Sequence, residues 1–180
     1  MLSFRLDNAK TLRLLEEADA GELNDLVEAN RDHLARWLPW APSQTFDDTL
    51  EFIRRTRRQL AENDGFQTAI VDERERIIGV VGFHQVSWAH RSTSIGYWLA
   101  ADAQRYGTMT VAVSALVAHA IATWKLHRVE IRAAVENRRS RAIPERLGFV
   151  EEGTIRGAER VGDRYLDLVV YSIISGRAEP

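Results

Sequence analysis

Between residues 106 and 124 the chain carries a helix-length run rich in Val, Ala and Leu, with few charges. A helix that is apolar around most of its circumference must be buried, here against a sheet. The neighbouring segments supply that sheet. Gln67-Thr-Ala-Ile-Val-Asp72 and Arg76-Ile-Ile-Gly-Val-Val-Gly-Phe-His84 read as two strands around a turn at residues 73–75, with Ser92-Thr-Ser-Ile-Gly-Tyr-Trp-Leu99 as a third. Three strands joined by short polar turns make an antiparallel meander. His127-Arg-Val-Glu-Ile-Arg-Ala-Ala-Val135 is a further strand, which the helical crossover makes parallel to the one before it.

The remaining segments complete an α/β domain. Residues 12–40 show helical spacing, with Leu23, Leu26, Val27, Asn30, Leu34 and Leu38 on one face and Pro39 and Pro42 as stops. Thr45 caps the next helix, whose apolar positions are Leu50, Ile53 and Leu60 and whose exposed side carries Arg54, Arg55, Arg57 and Arg58. A short helix over residues 140–147 ends at Gly148, and strands follow at residues 149–154 and 165–173. No linker, repeat or low-complexity stretch divides the chain, so residues 1–180 are read as a single domain.

Several chemistries are excluded before any site is sought. The chain has no cysteine, which removes disulfides, thiolate metal sites and a cysteine nucleophile. Its histidines, at 33, 84, 90, 119 and 127, show no His-Glu-x-x-His spacing, so no metal is expected; His119, on the apolar helix, reads as a core histidine. Gly-x-Ser-x-Gly, Walker and Gly-x-Gly-x-x-Gly patterns are absent. A net charge of −2 argues against a nucleic-acid partner. With no apolar run long enough to span a bilayer and no export signal at the N-terminus, the expectation is a cytoplasmic protein without a membrane partner.

One junction remains. The strand ending at Leu99 leads through residues 100–105 into Gln104-Arg-Tyr-Gly107-Thr-Met109-Thr110, at the start of the apolar helix. A helix N-terminus offers unpaired N–H groups and the positive end of the dipole; Gly107 permits close approach, and Thr108 and Thr110 add hydroxyls. This is a diphosphate cradle of a non-Walker kind.

Four blocks surround that junction: Ile95-Gly-Tyr-Trp-Leu99, Gln104-x-x-Gly107-x-Met109-Thr110, Asn137-x-x-Ser140-Arg-Ala-Ile-Pro144 and Leu147-Gly-Phe-Val-Glu-Glu-Gly153. In this order and spacing, together with Arg13-Leu-Leu15 and Trp37-Leu-Pro-Trp40, the chain resembles the GNAT N-acetyltransferase superfamily over nearly its whole length. Within it the match is to the RimJ/RimL-type branch, the ribosomal-protein N-terminal acetyltransferases.

The resemblance implies a single GNAT-type domain with a mixed, mostly antiparallel seven-stranded sheet, one splayed parallel pair and about four flanking helices. It implies acetyl-CoA as cosubstrate. The backbone of Tyr97, Trp98 and Leu99 would hold the pantetheine, and Gln104, Arg105, Tyr106, Gly107, Thr108, Met109 and Thr110 the pyrophosphate. Asn137 would bond the pantetheine near the thioester, and Ser140 would face the sulfur. Glu159, in Arg156-Gly-Ala-Glu159-Arg-Val-Gly-Asp163, is the candidate base, with a water chain as the fallback. Trp37, Trp40 and Trp88 are candidates for the acceptor side, packing being the plainer account of the first two. Arg138, Arg139 and Arg141 could attract the coenzyme's 3′-phosphate or simply form an exposed basic turn.

Without a cysteine, direct attack in a ternary complex is favoured over a cysteinyl acyl-enzyme. The acceptor is a peptide or protein N-terminus, or a small amine such as an antibiotic or polyamine. A non-catalytic CoA-binding regulatory module is the other reading, kept open by two departures from the branch: Ser94 in place of a glutamate, and the bulky Arg105-Tyr106 in the cradle. Oligomeric state stays open, a homodimer being the commonest arrangement in general.

Overall fold

The computed structural model describes residues 3–6 and 10–176, so the N-terminal export-signal reading lies partly outside the described residues. The strands are β1 (Ser3–Arg5), β2 (Thr11–Leu14), β3 (Gln67–Val71), β4 (Ile77–Ser87), β5 (Ser92–Leu99), β6 (Arg128–Ala134), β7 (Val150–Val161) and β8 (Arg164–Ile174). The helices are α1 (Ala20–Ala29), α2 (Arg31–Leu34), α3 (Phe46–Ala61), α4 (Thr108–Ala122) and α5 (Arg138–Arg146). The strands form one sheet in the order β1-β2-β3-β4-β5-β6-β8-β7.

The meander β3–β4–β5 is antiparallel, and the crossover through α4 makes β5 and β6 parallel, as the sequence predicts. That parallel pair is short. Ser92–Ser94 face Arg128–Glu130 in register, and beyond them the two strands share no partners although β5 runs on to Leu99 and β6 to Ala134. The sheet therefore opens in its middle.

Each face of the sheet carries helices. On one, Met109, Ala112, Val113, Leu116 and Ala120 of α4 pack on Val81, Phe83, Ile95, Val129 and Ile131. Burying each large aliphatic side chain there contributes roughly 1.5–3 kcal/mol. On the other, Leu23 of α1 and Ile53 of α3 meet Ala69, Val71 and Val80. Along β4, Val80 faces the α1/α3 core and Val81 the α4 core, the period-2 alternation that divides the two.

The structure corrects the sequence reading in three places. The sheet has eight strands among the described residues rather than seven, and there are five helices rather than about four. The helical reading of residues 12–40 fails at its start. Thr11–Leu14 is a strand paired with β1 and β3, and the first α-helix begins only at Ala20, after a 3-10 turn over Glu17–Asp19. Four residues are too few to show a period, yet Leu12 is fully buried in the sheet. Finally, the strand read at residues 149–154 extends to Val161 through register shifts between Glu151 and Gly153 and between Ile155 and Glu159. Nearly every β7 side chain is exposed, so no apolar alternation announces it.

Capping follows the expected chemistry. Thr45 Oγ1 accepts from the Asp48 amide and the Asp48 carboxylate accepts from the Thr45 amide, the reciprocal box that starts α3. At the end of α5, Phe149 N–H bonds Pro144 C=O and Gly148 N–H bonds Glu145 C=O, with Gly148 at φ +75°. This is the Schellman ending that glycine favours. Half-buried His119 lies within an aromatic cluster of Phe4, Phe66 and Trp124 rather than in the sealed core, and burial lowers its pKa. No helix among the described residues is long and apolar enough to cross a membrane.

Candidate active site

The opening between β5 and β6 is where the candidate residues converge. At its α4 end, residues 100–107 lead to Gly107, whose φ of +73° makes it the left-handed cap of α4. A side chain there would meet nothing within 4 Å, so the glycine serves the backbone conformation and leaves open space in front of the helix. Thr108 is buried at the first helical position, and its hydroxyl is one of two buried polar side-chain atoms without a partner among the described residues. A buried orphan hydroxyl costs free energy unless something satisfies it. With the unpaired first-turn amides, it fits an anionic group such as the expected pyrophosphate.

The other cradle residues divide by what their side chains touch. Gln104 is taken up in bracing the loop, with Nε2 2.8 Å from His33 Nε2 and Oε1 accepting from Arg139 at 3.1 Å. Burial, then the charges of Arg139 and Arg36, lower the His33 pKa. Met109 is core, and Thr110 accepts from Arg146 at 3.0 Å. Arg105 and Tyr106 are exposed, Tyr106 at 72%, so neither is packed into the opening. Of the arginines at the start of α5, Arg141 is committed to the Tyr171 hydroxyl, the Val135 carbonyl and Glu151.

At the β6 side, Asn137 caps α5 by accepting from the Ser140 amide at 3.2 Å, which leaves the Asn137 side-chain amide as a donor. Ser140 and Tyr97 are tied together across the opening. The Tyr97 phenol donates to the Ser140 carbonyl at 3.1 Å, and the Ser140 hydroxyl donates to the phenol oxygen at 3.3 Å. Burial pushes the Tyr97 phenol up to about 12, the Ser140 bond opposing it, so it stays protonated.

On the sheet face of α1 and α3 the opening meets a cleft of about 1230 Å³. Tyr97, Trp98, Asn137, Ser140, Glu159, Trp37 and Trp40 all line it. Trp40 packs tilted against Trp98, ring centres 6.1 Å apart, and Trp37 packs over Ala134, Val161 and Leu166, so both tryptophans pack and face the cleft at once. Glu159 stands on the β7 wall, and burial raises its carboxyl pKa. Trp88 lies apart from this cleft: it donates to the Asn63 carbonyl and meets Trp124 edge to face.

One cleft residue escapes the sequence reading. His84 lies on β4, where two residues, His84 and Gln85, oppose one on β5, Ser94. Its Nδ1 is 3.0 Å from Ser94 Oγ, and its ring lies over Gly96, where a Cβ would come within 2.4 Å of Nε2. The ring keeps solvent contact through the open cleft, yet the surrounding wall desolvates it, and this, then the charge of Arg132, lowers its pKa. The only sequence signal is the pair of glycines, Gly82 and Gly96, which face each other across β4 and β5. Among the described residues no cluster of acidic and histidine side chains is suited to hold a metal ion.

Residues 11–150 match the acetyltransferase (GNAT) domain family. YdaF of Bacillus subtilis (strain 168) is 35% identical over 97% of this chain and 96% of its own. The ribosomal-protein-serine acetyltransferase of Escherichia coli (strain K12) is 26% identical over 96% of each. Among solved structures, the microcin C7 self-immunity acetyltransferase MccE, in complex with acetyl-CoA and AMP, superimposes with a TM-score of 0.88 at 27% identity, covering 93% of each chain.

Proposed function

The chain belongs to the GNAT acetyltransferase family, and on that premise we propose that it moves acetyl from acetyl-CoA to the α-amine of a peptide or protein N-terminus, a ribosomal protein being the favoured acceptor. The observation that carries this reading is the opening between β5 and β6, with the α4 N-terminus at one end and the Tyr97–Ser140 pair facing an acceptor-sized cleft at the other. In that arrangement the free edge of β5 at Tyr97, Trp98 and Leu99 pairs with the pantetheine as an added strand would. Amides of residues 105–110 and the Thr108 hydroxyl take the pyrophosphate, and the Asn137 amide holds the arm near the thioester.

An α-amine has a pKa of ~8 and must shed a proton before it attacks. Glu159, raised by burial, is the carboxylate that draws in the ammonium and accepts that proton. The amine then attacks the thioester carbonyl in a ternary complex, a β5 backbone N–H near Leu99 stabilises the oxyanion, and the Ser140 hydroxyl meets the departing thiolate. The E. coli relative, by its name a ribosomal-protein-serine acetyltransferase, supports the protein acceptor. The microcin immunity enzyme, crystallised together with AMP, supports a small-molecule amine as the second reading.

Release of free CoA thiol, measured over a panel of N-terminal peptides, polyamines and aminoglycosides, tests the acceptor. N-terminal peptides should turn over fastest. Faster turnover of a polyamine or antibiotic shifts the assignment to the second reading, and binding of acetyl-CoA with no turnover on any amine leaves only a CoA-binding module. An unchanged pH–rate profile in Glu159→Gln removes Glu159 as base.

A further inference from the structure

The β4–β5 mismatch at His84 is a built feature. Where Ser94 alone opposes His84 and Gln85, the strand bulges, and bulges re-aim side chains beside functional sites. Carbonyls beside the bulge, past the start of β3, are satisfied from outside the ladder: Gln59 of α3 donates to Phe83 O at 3.0 Å and to His84 O at 2.6 Å, and Gln67 also donates to Phe83 O. Beyond the bulge, the Val86 amide donates to Asp64 at 2.8 Å. Gly96 clears the room that the imidazole occupies, and Ser94 holds its Nδ1. Nε2 has no partner among the described residues and stands in the wall of the acceptor cleft.

We propose that His84 is a second proton acceptor for the incoming amine, working across the cleft from Glu159 and oriented by Ser94. The inference rests on the acetyl-transfer reading and deepens it. With Nδ1–H donated to Ser94 Oγ, the Nε2 lone pair faces the cleft.

The ammonium gives one proton to Nε2 and its nitrogen lone pair is freed. The nitrogen forms the C–N bond while the carbonyl π pair moves onto oxygen. Return of that pair breaks the C–S bond, and the thiolate takes a second proton from the cationic nitrogen by way of the Ser140 hydroxyl. The third proton stays on the amide, and the imidazolium returns its proton to water.

The charged groups around the ring agree with a neutral resting imidazole. Arg132 of β6 disfavours a second cation there, and Glu159 lines the same cleft from β7. On the α3 side Arg58 is paired with Glu51, Arg55 lies over the Phe52 ring, and Asp64 is occupied by the Val86 amide.

The test is a pH–rate series on the wild-type chain, His84→Ala, Ser94→Ala and Glu159→Gln, with an acceptor taken from the panel. His84→Ala should lower kcat by about 100-fold, the scale of a lost general base. It should leave KM for acetyl-CoA unchanged, move the acid limb to lower pH, and recover rate on addition of free imidazole. Ser94→Ala should lose several-fold in kcat, and Glu159→Gln should shift the acid limb without abolishing it, the part that belongs to His84 remaining. A His84→Ala profile that superimposes on the wild type, or a loss that imidazole does not restore while acetyl-CoA still binds, overturns the role of His84 alone. No turnover by the wild-type chain on any amine overturns the acetyl-transfer reading and this inference together.

Discussion

Ser140 and Tyr97 hold one another by two hydrogen bonds, so neither hydroxyl is free to drift from the opening. Ser140→Ala removes the donor meant for the thiolate and should lower kcat by about 100-fold, as loss of a preorganised donor does. Acetyl-CoA binding, followed by thermal shift, should change little. Tyr97→Phe leaves the Ser140 hydroxyl present but unguided, and a smaller drop in kcat with the same KM for acetyl-CoA separates positioning from direct contact. Because burial keeps the Tyr97 phenol protonated to about pH 12, it contributes no alkaline limb of its own at working pH. Ser140 and Asn137 came into view only through the family resemblance, whose third block carries both, and the structure joins them at one helix start. His84 was not legible in the sequence, since its meaning depends on a bulge and on a glycine of the neighbouring strand.

At the scale of elements, α4 explains both the fold and the anion cradle. Its apolar circumference requires burial beneath the sheet, and that burial fixes its N-terminus at the place where β5 and β6 part. Gly107→Ala forces a Cβ into a left-handed cap and should cost about 1–2 kcal/mol of stability, read by denaturant titration, while weakening acetyl-CoA binding. Thr45→Ala, at the start of α3, should lower Tm by about 2–4 °C. The helices and the central strands were legible because their periods are long and one face of each is buried. The first two strands and most of β7 were not. The former are too short to show a period, and β7 is exposed along nearly its whole length, so the wall carrying Glu159 left no apolar trace.

For the whole molecule, the sheet is tied across its second half by an ion network in which Arg128 binds both Glu130 and Glu152. The Arg128 bonds, with that from Ser172, hold the Glu152 carboxyl down to about 2. A carboxylate depressed in the folded state stabilises the fold above its ordinary range near 4.5, and that contribution is lost as pH falls toward 2. Acid unfolding should therefore begin below the ordinary carboxylate range, and Glu152→Gln should flatten that part of a Tm-against-pH curve. Acetyl-CoA at about 100 times its Kd should add about 2.7 kcal/mol of stability to the same molecule. The most direct test of the central claim is a rapid-quench single turnover with isotope-labelled acetyl-CoA and an N-terminal peptide, read by intact mass of both peptide and protein. The account predicts label on the peptide α-nitrogen, equimolar free CoA and none on the protein; label on the protein during turnover, or no transfer while acetyl-CoA is bound, would contradict it.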